Sequence, residues 1–401
     1  MKKLHYAWAI CLGCTLLLLI SGGLSVNAFS VAQPYILAQN GFTNTQTSMI
    51  TTVRALAYLA CMFLMPRFYG KFGYRLGAAL AILFAAIAFV LFGAAKHLAT
   101  YYTAGVIAGL SYGFGSMVPV SILISRWFHE KHGLALGICA AGTGLATVLF
   151  SPVMTALIEK VSLAACFYFL AAVSLLTAFV VFVLLRESPE SCGRTPYGIC
   201  ADKAAAVGHR NAPEIGRLRW AVLFVSMCLL GSIASPGFTH MMILFTTAGV
   251  PGESAALCVS IFGFALMVGK CVYGESCDRL GARRSNWIFG AILCSGLLLC
   301  ALSDLRLMLL PYAASILYGF GVPMSTVGLS VWAEDFTDAA RFDWALRLFQ
   351  MGYGAGALVF SFMPGMIADR CGSYAPAYIV FLAFGVFSLA TVQNTYRRIK
   401  A

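Results

Sequence analysis

The chain has 401 residues, of which 60% are hydrophobic and only 10% charged, and its mean hydropathy is +0.85. A water-soluble domain carries about 25% charged residues, so the composition excludes a soluble globular protein and points to an integral membrane one. A formal net charge of +12 invites a nucleic-acid partner, but the placement of the charges, described below, argues against one.

The apolar runs mark the predicted helices in chain order. The first, over 7–31, is long enough to cross a bilayer core of about 30 Å and is expected to be a retained helix, not a signal peptide. Its second half carries Ser21, Gly22, Gly23, Ser25, Asn27 and Ser30, a pattern that either packs closely on a neighbour or lines a water-filled path. Helix two, over 46–66, contains Arg54 and, one turn on, Tyr58. Helices three and four are expected over 76–95 and 100–124, the fourth rich in glycine (Gly105, Gly109, Gly113, Gly115). A short basic turn from Ser125 to Gly133 leads into helix five, which opens with small residues four apart (Gly133, Gly137, Ala141), a spacing that suits close backbone approach. Helix six covers 163–185. Residues 186–219, with Pro189, Pro196 and Pro213 and no apolar periodicity, read as a linker. The second half repeats the plan over 220–248, 254–274, 286–303, 307–331, 343–367 and 375–396. The expected architecture is all-α and membrane-integral: a six-helix half over 1–185, a cytoplasmic linker over 186–219 and a second six-helix half over 220–401.

Lysines and arginines in alternate gaps between the apolar runs divide very unevenly, twenty on one side and four on the other. That asymmetry is the positive-inside signal, and it places both termini and the linker on the cytoplasmic side of the cell's inner membrane. The fourteen cysteines lie mostly inside apolar runs and show no CxxC or Cys/His ligand spacing; they read as small buried apolar residues, with neither disulfide nor metal expected.

The two halves carry a repeated element. Lys270 through Arg284 holds Gly274-x-x-x-Asp278-Arg279-x-Gly281-x-Arg283, and Pro66 through Arg75 holds a degraded copy in which Pro66 replaces the first glycine and Gly70 the aspartate. Both ends of the copy are offset by 208 residues, from Pro66 to Gly274 and from Gly73 to Gly281. This duplicated turn resembles the signature of the major facilitator superfamily. The stretch Gly113-Phe-Gly-Ser-Met-Val-Pro119, then Arg126-Trp-Phe and Lys131-x-Gly-Leu-Ala-Leu-Gly137, then Ala141-Gly-x-Gly144, resembles its monocarboxylate transporter and oxalate:formate antiporter branch. The resemblance implies a pseudo-symmetric bundle of twelve helices, alternating access, and small organic anions as substrates. It also implies a substrate contact at Lys270, because oxalate:formate-like proteins carry a basic residue four positions before the same glycine. The monocarboxylate branch places an acid one turn before that cation; Leu266 stands there, which favours exchange or facilitated diffusion over proton symport.

The fifteen acidic residues all fall in loops or at helix ends, whereas three basic ones, Arg54, Lys270 and Arg347, sit within apolar runs. A charge at mid-bilayer costs about 2.5–3.5 kcal/mol even on the lenient insertion scale, so such residues face a cavity or a partner unless they snorkel. Without an intramembrane carboxylate, the natural partner is an anion from outside. An arginine fork grips a carboxylate in bidentate fashion and lysine supplies a point charge, which together suit mono- or dicarboxylates and sulfonates. Snorkelling competes for Lys270, expected one turn from a helix end at Gly274, and for Arg347, near the start of helix eleven. Asn27, Tyr58, Tyr112, Tyr318, Gln350 and Tyr353 are candidate wall residues, each with a plain packing role as the alternative. His240, the only histidine within an apolar run, is the candidate proton carrier or else simply hydrogen-bonded. Asp278, Arg279, Arg283, Arg75 and Arg126 read as gating groups at the cytoplasmic turns, or as topology-setting charge.

Competing classes fare worse. A drug efflux carrier on the same fold would be expected to hold intramembrane acids for cationic cargo. A membrane enzyme would need a nucleophile elbow, a His/Asp cluster or metal-ligand spacing, and none occurs. A receptor fits poorly with the two-half layout. No cofactor is implied, and the expected partners are an organic anion and the lipid bilayer.

Overall fold

The computed structural model describes residues 5–40, 42, 44–198, 215–338 and 340–399. It divides into two compact units, Met1–Ala206 and Val207–Ala401. Most of the linker's polar centre, residues 199–214, lies outside the described residues, as do Lys2, Lys3, Lys203, Arg210 and Lys400 of the topology argument.

The first unit holds six helices. The first, α1, has three parts: Ala7–Leu18, a wide-turn π-helical stretch Leu19–Ala28, and Phe29–Asn40. A single helical run, Asn44–Ala94, holds α2 and α3, split at Gly73 with φ 68°. Its apolar portion of 46 residues would span about 69 Å at 1.5 Å per residue, more than twice a bilayer core of about 30 Å. It therefore crosses twice. Then come α4 (Leu98–Phe114 with Met117–Trp127), α5 (His132–Lys160) and α6 (Leu163–Leu184).

The second unit mirrors this order. Its α7 comprises Arg217–Ser232, a π-helical stretch Ile233–Gly237, and Met241–Thr247. It continues through α8 (Gly252–Leu280), α9 (Ala282–Ala301), α10 (Leu310–Gly321, a 3₁₀ turn Val322–Ser325, and Val327–Phe336), α11 (Phe342–Val359 and Met363–Cys371) and α12 (Ala375–Ile399). Eleven stretches among the described residues are long and apolar enough to cross a membrane, and the doubled one brings the crossings to twelve. Their outward faces carry Phe63, Leu176, Phe179, Phe264 and Ile379. A lipid solvent makes that pattern favourable.

Gly73 and Gly281, 208 residues apart, both adopt left-handed backbone, φ 68° and 80°. Each makes the reversal between two antiparallel helices, where a Cβ would be strained. The structure corrects the predicted turn here. The Gly274–Arg283 motif is not a loop: α8 stays helical to Leu280, and the reversal is confined to Gly281. Pro66 likewise lies inside a helix. The predicted continuous seventh helix is interrupted, first by the wide turns and then at His240. The start of the predicted linker is also more ordered than its composition suggests. Tyr197 donates its N–H to the Trp127 carbonyl at 2.8 Å and accepts from His129 N–H at 3.0 Å, which docks this stretch beneath the α4–α5 turn.

Small residues let the helices meet backbone to backbone, the main packing device open to helices in lipid. On α4, Gly105, Gly109 and Gly113 lie against Ile50, Arg54 with Ala57, and Cys61 of α2. In the second unit, Gly352 and Gly356 press α11 onto Phe224, Met227 and Cys228 of α7; a Cβ on Gly356 would sit 1.8 Å from the Cys228 carbonyl oxygen. Gly356→Ala therefore forces the helices apart and is expected to cost about 1–3 kcal/mol, read as a clear drop in the thermal unfolding midpoint. Gly263→Ala, with nothing within 4 Å of its Cβ position, is expected to leave the midpoint unchanged or raise it.

Candidate functional site

The glycine contact of α4 on α2 fixes the position of Arg54. Ten residues separate it from the start of its helix at Asn44, about 15 Å at the helical rise, so it stands near the middle of a bilayer crossing. Its side chain is only 9% exposed. Nη1 donates to the Ser25 carbonyl at 2.6 Å, and the guanidinium carbon lies 5.4 Å from the centre of the Phe29 ring. Both partners belong to α1, and Ser25 sits inside the wide-turn stretch. One helical turn beyond Arg54, Tyr58 stacks on Tyr112 of α4 with ring centres 4.5 Å apart. Asn27 is exposed and donates Nδ2–H to the Thr143 carbonyl of α5 at 3.4 Å. Arg54, Asn27, Tyr58 and Tyr112 thus meet around one irregular segment of α1. No carboxylate pairs with Arg54 among the described residues.

π-helical geometry replaces the i→i+4 ladder with i→i+5 bonds and is common at functional sites. It leaves backbone carbonyls in need of donors where the two ladders join. In the first unit Ser25 Oγ donates to the Ile20 carbonyl at 3.2 Å and Arg54 takes the Ser25 carbonyl. In the second unit Tyr318 donates to the Ile233 carbonyl at 2.5 Å and Tyr378 to the Gly237 carbonyl at 2.6 Å. Ser25 and Ile233 are separated by 208 residues, the offset of the duplicated turn. The same carbonyl is therefore held in both units, by a cation in one and by a phenol in the other. Phe262 occupies the register position of Arg54 and stacks on Phe238 with ring centres 4.6 Å apart.

Lys270 is 6% exposed. Its helix runs ten residues past it to Leu280, about 15 Å, so the expectation of a lysine one turn from a helix end is corrected: it is a mid-helix cation. Gly269 beside it lies against Phe320 and Pro323, where α10 tightens into its 3₁₀ turn. Arg347 is half-buried, five residues into α11. Gln350 is buried, and Tyr353 lies where its backbone meets Gly231 of α7. Lys270 thus stands on α8, while Arg347, Gln350 and Tyr353 stand on α11, which packs along α7.

His240 occupies the break in α7. Its Nδ1 lies 2.9 Å from the Pro236 carbonyl and its ring stacks on Tyr374 at 6.0 Å, an arrangement that caps the interrupted helix. At the turns, Arg75 donates Nε–H to the Phe182 carbonyl at 2.8 Å and lies over the Phe182 ring at 4.2 Å. Arg126 lies over Tyr74 at 4.7 Å. Arg279 pairs with Glu275 one turn back rather than with Asp278, its exposed neighbour in the chain. The backbone of Arg283 accepts from Gln393 Nε2 at 2.8 Å. From sequence, Ser25 figures only within the polar stretch of the first helix and Phe29 not at all, because a backbone carbonyl and a ring face have no residue-type signal; the repeat offset carries Ser25 to Ile233.

Comparison with known proteins agrees with this geometry. The sequence matches the Major Facilitator Superfamily over residues 15–342. It is 22% identical to monocarboxylate transporter 12 of Xenopus laevis, over 94% of this chain and 85% of that protein. It is 24% identical to a probable sulfoacetate transporter of Cupriavidus necator, over 90% and 88% of the two chains. Among solved structures, the proton:xylose symporter XylE superposes with a TM-score of 0.69 at 16% identity, over 96% of this chain and 94% of that one. The human organic anion transporter MFSD10 superposes with a TM-score of 0.68 at 12% identity, over 96% and 98%. The family match and the transporters among the relatives make this a multi-pass membrane transporter and not an enzyme. The chain belongs to the Major Facilitator Superfamily.

The capping geometry at His240 carries its own test. His240→Leu removes the imidazole contact to the Pro236 carbonyl, which keeps the backbone N–H of residue 240 and the Thr239 hydroxyl as donors. It is expected to cost at most about 1 kcal/mol of stability, seen as a slightly lower unfolding midpoint. His240→Asn, which retains an N–H donor, is expected to keep most of it.

Proposed function

We propose that this protein is a secondary transporter that moves small organic anions, mono- or dicarboxylates, across the cytoplasmic membrane by alternating access, through exchange or facilitated diffusion. Both termini lie on the cytoplasmic side in this proposal. The observation that carries it is Arg54: a buried guanidinium midway along a membrane-crossing helix, held by one carbonyl and one aromatic ring. Only part of its donor fork is used by Ser25, and arginine's five N–H groups leave donors for a bidentate anion. In the first unit Tyr58 and Asn27 are proposed as further substrate contacts; in the second, the buried cation is Lys270, with Arg347, Gln350 and Tyr353 as proposed contacts.

The names of the relatives support this chemistry, since carboxylates and sulfonates are both oxygen-rich anions that an arginine fork accepts. Exchange is favoured over proton symport because Leu266 supplies no proton carrier one turn before Lys270, and His240 is engaged as a helix cap. Asp278, Arg279, Arg283, Arg75 and Arg126 act in this proposal at the cytoplasmic turns, where closing and opening cost only a few kcal/mol.

The test is uptake of radiolabelled oxalate, lactate, formate or sulfoacetate into proteoliposomes, with and without internal anion. Stimulation by internal anion identifies exchange; uptake without it identifies uniport. Loss of a charge-assisted hydrogen bond is worth about 1.5–3 kcal/mol, so Arg54→Gln and Lys270→Gln are each expected to slow transport by roughly tenfold to a hundredfold while the protein stays folded. Normal transport by both folded variants would remove the site assignment.

A further inference from the structure

We propose that Arg54 is a displaceable latch on α1: its guanidinium holds the wide-turn stretch Leu19–Ala28 through the Ser25 carbonyl, and an anion that draws the guanidinium away lets that stretch rewind. The anion half of this inference rests on the carrier function proposed above. The latch itself does not.

Three observations converge on it. First, the stretch meets α4 and α5 through small residues. Gly23 lies against Thr143 and Ala146 of α5, Gly22 against Thr143, and Gly115 of α4 against Ser21. On this face the contacts are shallow, while Ile20 and Leu24 of the same stretch are fully buried and must repack when it turns. Second, the tie from Arg54 is the shortest of three described polar ties from this stretch to other helices. Ser111 to Ser21 and Asn27 to Thr143 both measure 3.4 Å, whereas Arg54 to Ser25 measures 2.6 Å. Third, the repeat supplies a natural control. At the same carbonyl of the second unit, Tyr318 replaces the cation, and Tyr378 secures a further carbonyl four residues on.

The difference in donors decides the behaviour. A carboxylate or sulfonate competes well for a guanidinium, because an ion–ion hydrogen bond is roughly twice as strong as a neutral one. It has no comparable pull on a phenol already bonded to a carbonyl. Once Arg54 turns to the anion, the Ser25 carbonyl loses this donor inside the membrane, a cost that the backbone offsets by supplying an N–H in its place. Closing the π turns into i→i+4 geometry does that. The conversion lengthens the segment and rotates everything beyond it, including Phe29. Ligand-dependent motion is thus assigned to α1, while the π stretch of α7 stays fixed.

Amide hydrogen exchange on the purified full chain, resolved by mass spectrometry, tests both halves. Arg54→Met removes the donor, and exchange over residues 19–28 is expected to change by tenfold or more, with residues 233–237 unaffected. Arg54→Lys, which keeps a charge and one donor, provides a second variant if the first folds poorly, and is expected to show a smaller change of the same sign. Tyr318→Phe is expected to alter only 233–237. Sulfoacetate and oxalate are then added separately to the wild-type protein; whichever raises its melting temperature is expected to alter exchange over 19–28 and not over 233–237. Unaltered exchange over 19–28 in both Arg54 variants overturns the latch. An anion that raises the melting temperature without altering 19–28 overturns the coupling and leaves the carrier function standing. If neither anion raises it, the anion half falls with the carrier proposal, and the variants alone decide the latch.

Discussion

A peptide carbonyl inside a bilayer has no water to turn to, so any backbone irregularity there must bring its own donor. This constraint organises the centre of each unit. The first helix of both departs from α geometry, and in both the carbonyl at the same repeat position is satisfied from another helix: Ser25 by Arg54, Ile233 by Tyr318. Neither bond would form without close helix contacts, and those come from the glycines of α4 and α10. Gly109 rests on the Arg54 turn itself, and Gly319 on Phe262 and Ala265.

The duplication explains how the units came to differ. A neutral network of Phe238, Phe262 and Tyr318 is a stable way to brace a wide turn, since buried aromatic pairs and a phenolic hydrogen bond carry no desolvated charge. Putting arginine at position 54, the register equivalent of Phe262, brings a buried cation with its desolvation cost. That cost persists in an otherwise apolar protein where the charge has a task, and intramembrane ionisable groups mark functional sites by default. The asymmetry between the units is therefore a chemical one, laid over a common backbone plan.

The turns between α2 and α3, α4 and α5, and α8 and α9 show the opposite pattern. Arg75 and Arg126 are tied down by a carbonyl and by aromatic faces, and Arg279 by a neighbouring glutamate. Interactions of this kind hold a surface arginine in place without a deeply buried ion pair, and exposed pairs are individually worth little. They suit turns that change partners during a transport cycle.

Much of this was legible in the chain alone. Hydropathy and charge asymmetry disclosed a multi-pass membrane protein, because a bilayer demands long apolar helices and a translocating chain retains its basic loops. The 208-residue offset disclosed the duplication, and Gly73 and Gly281 bear it out through their left-handed backbone. The imbalance of basic and acidic residues within the apolar runs singles out Arg54, Lys270 and Arg347, of which the first two are buried and the third half-buried. Tertiary structure decided the rest. It moved Lys270 from a helix end to mid-helix, since α8 continues through Gly274; a glycine permits a turn without requiring one. It broke α7 at His240, and it placed Ser25 and Phe29 against Arg54. Those partners are a backbone oxygen and a ring face from a helix some 25 to 30 residues earlier in the chain, and such partnerships exist only once helices pack.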